Sequence, residues 1–425
     1  MIGAPVFRYV LTPGWAGDSL ARAAQAVPSL DLNFAATKNV DPLVTFTRAS
    51  SATYVGSDGL IKTATTNEPR FDHSPTTGES LGLLVEEQRT NSLPRSEEFD
   101  NASWINQSTT ETIDASISTP TGGSNAYRLI DNSSNVSHNI YQATTIAGGT
   151  ATTLSVYARQ ATLRYIRLSA TVSGTDYAVA DFDLQTGTVT QTGNGATGTV
   201  SNATAQSVGN GWIRCSAVFN TSGGNRSITF HTLNSGTMPI SGFGVSPYIG
   251  VGGYVHIWGA QLEAGAFPTS YIPTTAAAAT RSADVANNTT VGSNIRSLFA
   301  QFRSPASGTR PVVSLDDNTA NERIEILTSG TDPKLLVTDG GGTVADLNGG
   351  TVTANVTARA AAVFDTNNYV FSVNGGASQL DSSGALPTVN RIRIGSNQAG
   401  GYLNGTIARA TGWDTALANL PPITQ

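Results

Sequence analysis

Residues 30–104 read LDLNFAATKNVDPLVTFTRASSATYVGSDGLIKTATTNEPRFDHSPTTGESLGLLVEEQRTNSLPRSEEFDNASW. The apolar residues Leu30, Leu32 and Phe34 alternate with Asp31 and Asn33, the period of a pleated strand. SATYV and LIKTA flank Gly56-Ser57-Asp58-Gly59, residue types that tolerate the positive φ of a hairpin loop. LGLLV (81–85) is a buried-strand pattern, followed at once by Glu86, Glu87, Gln88 and Arg89. The whole stretch has strand and turn chemistry, and it sets the class of the chain as all-β.

The same pattern continues on both sides. Upstream, VFRYVL has strand character, and AGDSLARAAQAV predicts a short N-terminal helix capped by Asp18 or Ser19 and ended by Pro28. Downstream, AYRLI, NIYQATTI, TLSVYAR, RYIRLSATV, YAVADFDL, WIRCSAVF, SITFHTL and YVHIWGAQLE predict the strands of a jelly roll. PTSYIPTTAAAATRSADV (268–285) has the composition of a linker. SLFAQF, VVSLD, RIEILT, KLLVTD, AAAVFD, YVFSVNG, RIRIG and GTIARATGW then predict a second sandwich, with a hairpin signal at Asn374-Gly375. The expected division is an N-terminal docking segment (1–29), a β-rich module (30–96), a jelly roll (97–275), a linker (276–289) and a second sandwich (290–425).

Composition narrows the function. Only 13% of the 425 residues are charged, about half the usual share. With 44 glycines and many Thr, Ser and Asn, the chain suits strands and tight turns, not charge-faced helices. A net charge of −6 argues against nucleic-acid binding through a diffuse basic surface. Cys215, the one cysteine, has no internal disulfide partner and fits a small buried hydrophobe. No apolar run approaches the roughly 18 residues that span a bilayer as a helix. MIGAPVFRYVLTPGW lacks the basic and apolar regions of a secretory signal, so folding in a cytoplasm is expected.

The 30–104 segment resembles a module of fibre and head-spike proteins of tailed bacteriophages and gene-transfer agents. The matching strings are Thr45-Phe46-Thr47-Arg48-Ala49-Ser50, Ala52-Thr53-Tyr54, Asp58-Gly59, Glu68-Pro69-Arg70-Phe71-Asp72, Leu83-Leu84-Val85-Glu86, Gln88-Arg89-Thr90-Asn91 and Phe99, Asn101, Ala102 and Trp104. WGAQLEAGAFPTSYIPT (258–274) and TRSAD (280–284) resemble the end of the same arrangement. Residues 105–257 are similar in strand pattern to carbohydrate-binding jelly rolls, and 290–418 to laminin-G or concanavalin-type sandwiches. The resemblance implies a virion structural protein, made in the host cytoplasm, that contacts host-surface polysaccharide. By analogy with fibres it also implies a homotrimer. Its N-terminus would dock onto other virion proteins, with Phe7, Tyr9, Trp15 and Leu20 as candidate anchors.

Catalysis finds little support. Glycan cleavage ordinarily needs two carboxylates facing one bond. Glu322 and Glu325 fall on opposite strand faces, and Asp181 and Asp183 share a face but flank a turn, where a solvated role is expected. Glu86-Glu87 and Glu97-Glu98 are adjacent and divergent, with Arg89 and Arg95 as expected partners. His73, His138, His231 and His256 stand apart, without zinc-ligand spacing. No cofactor is expected; Asp316-Asp317-Asn318 keeps a structural calcium open, with a plain loop as the alternative.

Binding has a concrete candidate. In three strands the aliphatic residues take one face: Leu154, Val156 and Ala158; Ile166 and Leu168; Val255 and Ile257. The opposite faces carry Tyr157 and Arg159, Tyr165 and Arg167, and Tyr254, His256 and Trp258. Flat rings stack on sugar C–H faces, and Arg forks bind the carboxylates of acidic polysaccharides. The competing reading is that this face packs on another domain or subunit. Trp104, Trp212 and Trp413 are expected core anchors. The leading expectation is a non-enzymatic fibre or head spike. A purely structural virion component is the alternative, and a polysaccharide depolymerase the third reading.

Overall fold

The computed structural model describes residues 27–146, 148–289, 294–305 and 308–425. The expected N-terminal helix and the anchors Phe7, Tyr9, Trp15 and Leu20 lie outside the described residues. Among the described residues the fold is all-β, as expected, and is built from two antiparallel sandwiches. A single helical turn, Phe34–Thr37, starts where Asn33 Oδ1 accepts the Ala36 N–H.

The division of the chain differs from the sequence expectation. The second sandwich draws strands from both ends of the chain. One sheet runs Gln379–Asp381, Asn368–Val373, Ala358–Asp365, Ser297–Arg303, Gly405–Trp413, Ser80–Val85, Phe71–His73, with Leu30–Leu32 also paired to Gly405–Trp413. The facing sheet runs Thr45–Thr47, Val285–Asn288, Arg391–Ile394, Thr309–Asp316, Arg323–Ser329, Asp332–Asp339, Gly342–Asn348. Leu30, Leu32, Phe34, Leu83 and Val85 therefore share one core with Phe302, Val313, Ile326, Phe371 and Ile394. Residues 30–96 form no separate module, because Leu30–Leu32, Thr45–Thr47 and Ser80–Val85 pair with strands some 240 to 380 residues away.

The presumed linker is also structural. Ala279–Arg281 pairs antiparallel with Arg89–Asn91, and Val285–Asn288 pairs with both Thr45–Thr47 and Arg391–Ile394. Its low-information alanine run hid two short strands whose partners are remote. The pair Arg89–Asn91 and Ala279–Arg281 forms a neck through which the jelly roll is inserted into the second sandwich.

The inserted jelly roll has two six-stranded sheets. One is ordered Thr199–Ser207, Trp212–Asn220, Thr152–Arg159, Tyr254–Ala264, Tyr127–Asp131, Thr109–Ile113. The other is ordered Thr188–Asn194, Tyr177–Asp183, Tyr165–Thr171, Gly224–Leu233, Asn139–Ile146, Ile105–Gln107. The aliphatic faces read from the sequence fill its core: Leu154, Val156, Ala158, Ile166, Leu168, Val255, Ile257 and Cys215.

Register gives the body a direction. Leu30 pairs with Gly412 and Val85 with Gly405, so the chain enters at one end of the Gly405–Trp413 strand and leaves for the neck at the other. At about 3.4 Å per residue the two ends are roughly 24 Å apart. Gly82 is required on that path: its φ is +92°, and a Cβ there would come within 2.1 Å of Ile407 O.

Candidate functional site

The strings that carry the resemblance meet at the neck, in a buried charge network. Arg48, Arg70 and Arg281 face Glu86 and Asp284, and all five are under 5% exposed. Asp284 bridges two arginines: Oδ1 accepts from Arg48 NH1 at 3.0 Å, and Oδ2 pairs with Arg70 NH2. Arg70 NH1 reaches Glu86 at 2.8 Å and also donates to Thr53 O and Ser270 Oγ, each at 2.8 Å. Glu86 accepts from Ser270 N at 2.7 Å and Ser270 Oγ at 2.6 Å, with Arg281 at 3.6 Å. Burial on its own raises the Glu86 carboxyl, but Arg281, Arg70 and Ser270 outweigh it and bring it down to about 2. The expected Glu87–Arg89 and Glu98–Arg95 pairs are present, whereas Glu86 takes Arg70 and Arg281 instead. The network joins the sandwiches and offers no reactive group.

A second joint is aromatic. Tyr157, Trp258 and Tyr271 stack at centroid distances of 4.8 to 5.9 Å, with Trp212 and Ala126 in the same cluster. Ile61 of the hairpin Ala52–Val55/Ile61–Ala64 packs against it, and Ile61 N donates to Pro120 O at 2.9 Å. Thr53 Oγ1 donates to Tyr271 O. Tyr271 OH lies 2.7 Å from Ser96 Oγ and 3.1 Å from Glu97. Burial holds the Tyr271 hydroxyl well above its ordinary pKa, so it is a protonated hydrogen-bonding group and not a nucleophile.

Much of the expected sugar platform is therefore closed. Tyr157 and Trp258 are 4% and 0% exposed, because the hairpin and the segment around Tyr271 cover them. Arg167 is 0% exposed and bidentate to Asp181 at 2.6 and 2.7 Å. Asp181 and Asp183 are not solvated, as Asp183 is likewise buried against Arg164. Packing against the rest of the chain, the competing reading of this face, describes most of it.

One end of the face remains open. Arg128, Tyr254 and Arg159 are partly exposed around the buried His256. Arg128 and Arg159 sit on either side of His256 in the sheet register. The Arg128 guanidinium lies 5.0 Å above the Tyr254 ring. Asp114 anchors the group, bonded to Arg128 at 2.7 Å and His256 Nε2 at 3.0 Å. Hydrogen bonds from Ser116, His256 and Arg128 hold its carboxyl well below the usual range. Burial lowers the pKa of His256, and Asp114 partly restores it. With His256 neutral the end carries two Arg charges against one Asp, a net positive platform with one accessible ring. Tyr165 lies apart, half-buried on the other sheet beneath the Arg164 guanidinium.

Sequence reasoning missed Arg128 and Asp114. The first was readable, since Tyr127 and Leu129 point to the core and alternation places Arg128 outside. Asp114 sits in a loop with no periodic signal.

Other chemistry has less to stand on. Glu325 is buried and bonded to Ser314 and Asn397, while Glu322 is half-buried and accepts from Gly340 N and Thr388 N. Arg391 and Arg393 occupy the Asp316 carboxylate, and Asp317 Oδ1 accepts from Thr319 N and Oγ1 in a plain loop turn. Among the described residues no three His, Cys, Asp or Glu gather as metal ligands. A cleft lined by Phe302, Ser304, Thr328, Val352 and Ala358 has a volume of about 10 Å³, scarcely room for one water.

No family model matches the chain, and no curated protein does. Among solved structures it is similar to the CBM40 module of Ruminococcus gnavus IT-sialidase bound to α2,3-sialyllactose. Identity there is 15% over 32% of this chain and 84% of that one, with a TM-score of 0.28. It is similar to mouse laminin α1 domains LG4-5 at 13% identity, over 64% and 83% of the two chains, with a TM-score of 0.22. It is also similar to Trypanosoma rangeli sialidase in complex with sialic acid, at 11% identity over 70% and 59%, with a TM-score of 0.25. Likenesses this distant carry no argument about ligands.

Proposed function

We propose that the chain is a non-enzymatic adhesive component of a phage-like particle, with the jelly roll binding host-surface polysaccharide. The observation that carries this reading is the direction of the body. The chain enters at one end of a central strand, and the jelly roll is fixed beyond the other by two buried joints. Entry of the described chain at Leu30 on one side and a jelly roll held beyond the other suit a spike. The strings that resemble phage modules are the ones that build the joint, which accounts for their residue types without chemistry. The contact surface is the Arg128–Tyr254–Arg159 end, and its positive charge favours an acidic sugar. One such site is weak, and several copies on a particle, or a trimer, supply avidity.

The test is adsorption of the purified, labelled chain to host cells and to an array of acidic and neutral glycans. Tyr254→Ala with Arg128→Ala is expected to lower binding at least tenfold while the chain still melts cooperatively within a few degrees of the native protein. Absence of binding by the native chain, together with its capture by other particle proteins, would replace this reading with that of a structural adaptor.

A further inference from the structure

The opposite face of the jelly roll has a cover of unusual make. Residues 234–253, NSGTMPISGFGVSPYIGVGG, link Gly224–Leu233 to Tyr254–Ala264 and fold back over the sheet. The segment holds six glycines, two prolines and no charged residue. Phe243 is 58% exposed and has φ +66°, a conformation strained for any residue with a side chain.

What lies under it is largely polar, with Val179 buried among the polar groups. Arg167, Asp181 and Ser169 are 0% exposed and His231 is 2% exposed. His231 is held between Ser137 Oγ at 3.2 Å and Ser169 Oγ at 2.9 Å. Arg167 commits Nε and NH2 to Asp181, and NH1 to the cover, donating to Gly244 O at 3.0 Å and Ser246 Oγ at 2.7 Å. The cover thus meets this polar centre with a carbonyl and a hydroxyl. Its apolar grip is made by Gly244 against Val179 and Tyr177, and to the sides by Met238 and Tyr248 on Leu233 and Tyr165. A loop serving only to seal a sheet is most simply matched to an apolar face, since buried polar groups must all be satisfied.

We propose that this segment, centred on residues 238–246, is a displaceable cover over a second saccharide-binding face formed by Arg167, Asp181, Ser169 and His231. Sugar hydroxyls replace Gly244 O and Ser246 Oγ one for one, and the rings of Tyr165 and Tyr248 flank the space. Because Arg167 is paired with Asp181, the face is neutral and offers no free cation to offset the desolvation of an added carboxylate. Its ligand class is therefore a neutral saccharide, in contrast to the acidic sugar of the Tyr254 end. The closed cover weakens apparent affinity by the fraction of molecules open.

Hydrogen exchange and a neutral mono- to tetrasaccharide array test this on the full chain. Ser246→Ala with Met238→Ala loosens the cover and leaves the face intact. Exchange at Gly242–Ser246 is expected to accelerate at least tenfold while the core strands are unchanged, and binding of at least one neutral saccharide is expected to rise by a similar factor. Adding Arg167→Lys should abolish the gain in a variant that still melts cooperatively, whereas Tyr254→Ala should leave it, which separates this site from the proposed adhesive one. Exchange at Gly242–Ser246 as slow as the core in the loosened variant would overturn the proposal. Accelerated exchange without any gain in saccharide binding would also overturn it.

Discussion

The two joints between the sandwiches solve the same problem with opposite chemistry. One is a cluster of rings around Tyr157, Trp258 and Tyr271, and the other is a cluster of charges around Asp284 and Glu86. Both are nearly dry. The aromatic joint is held by apolar burial and tolerates imperfect geometry, because dispersion and the hydrophobic effect are non-directional. The charged joint is held by opposed buried charges, so losing one member strands the others in a low-dielectric interior. An aromatic joint should degrade gradually, whereas the charged joint should fail when any member is lost.

That contrast is sharpest at Asp284, which serves Arg48 and Arg70 at once. Asp284→Ala leaves two buried guanidiniums short of a partner and is expected to cost about 3–5 kcal/mol, read as a lower chemical-denaturation midpoint. A loss below about 1 kcal/mol would mean that water reaches the network. Trp258→Ala is expected to cost a similar or slightly smaller amount, about 3–4 kcal/mol from the cavity it leaves, and Trp258→Phe much less. No graded rescue of that kind is expected from Asp284→Asn, which keeps the shape and removes the charge.

Acid should separate the joints next. Glu86 has a folded-state pKa of about 2, against an ordinary value of 4.5. A depressed carboxyl contributes stability that is present above about pH 4.5 and is lost as pH falls toward 2. The charged joint should therefore weaken across that window, and the Glu86→Gln variant should show a flatter pH profile there. His231 adds a term of the same direction at higher pH. Burial and the nearby Arg167 hold its pKa well below 6.5, so stability above that pH falls away as the solution is acidified. The charged group facing it is Arg167, itself paired with Asp181, and Ser137 and Ser169 are bonded to its ring. The smallest stability effect belongs to the open end of the platform. Tyr254→Ala should move the melting temperature by no more than about 1–2 °C, since partly exposed residues away from the joints contribute little. A larger shift would make Tyr254 a packing residue and remove it from the proposed binding surface.

The same contrast explains what was legible in the sequence. Period two placed Leu154, Val156, Ile166, Val255 and Ile257 in the core and their neighbours on the other face. Gly56–Gly59 and Asn374-Gly375 marked hairpins that are present, the latter with φ of 48° and 74°. Periodicity says which side a residue takes and not what covers that side. Tyr157 and Trp258 looked exposed because Ile61 and Tyr271, far away in the chain, close over them. The pairing of Arg48 and Arg70 with Asp284 left no local signal, because the partners are 236 and 214 residues distant. The insertion itself was hidden for the same reason, since a strand with a remote partner reads as a linker. The tryptophans expected as core anchors, Trp104, Trp212 and Trp413, are all under 5% exposed, because large rings next to apolar runs seldom have another place to go.

The central claim is that one sandwich is inserted into the other and fixed by two joints into a single body. Differential scanning calorimetry of the native chain and of Asp284→Ala tests it most directly. The account predicts one cooperative transition for the native protein, and two for the variant as the sandwiches uncouple. Two transitions in the native protein, or one unshifted transition in Asp284→Ala, would contradict it.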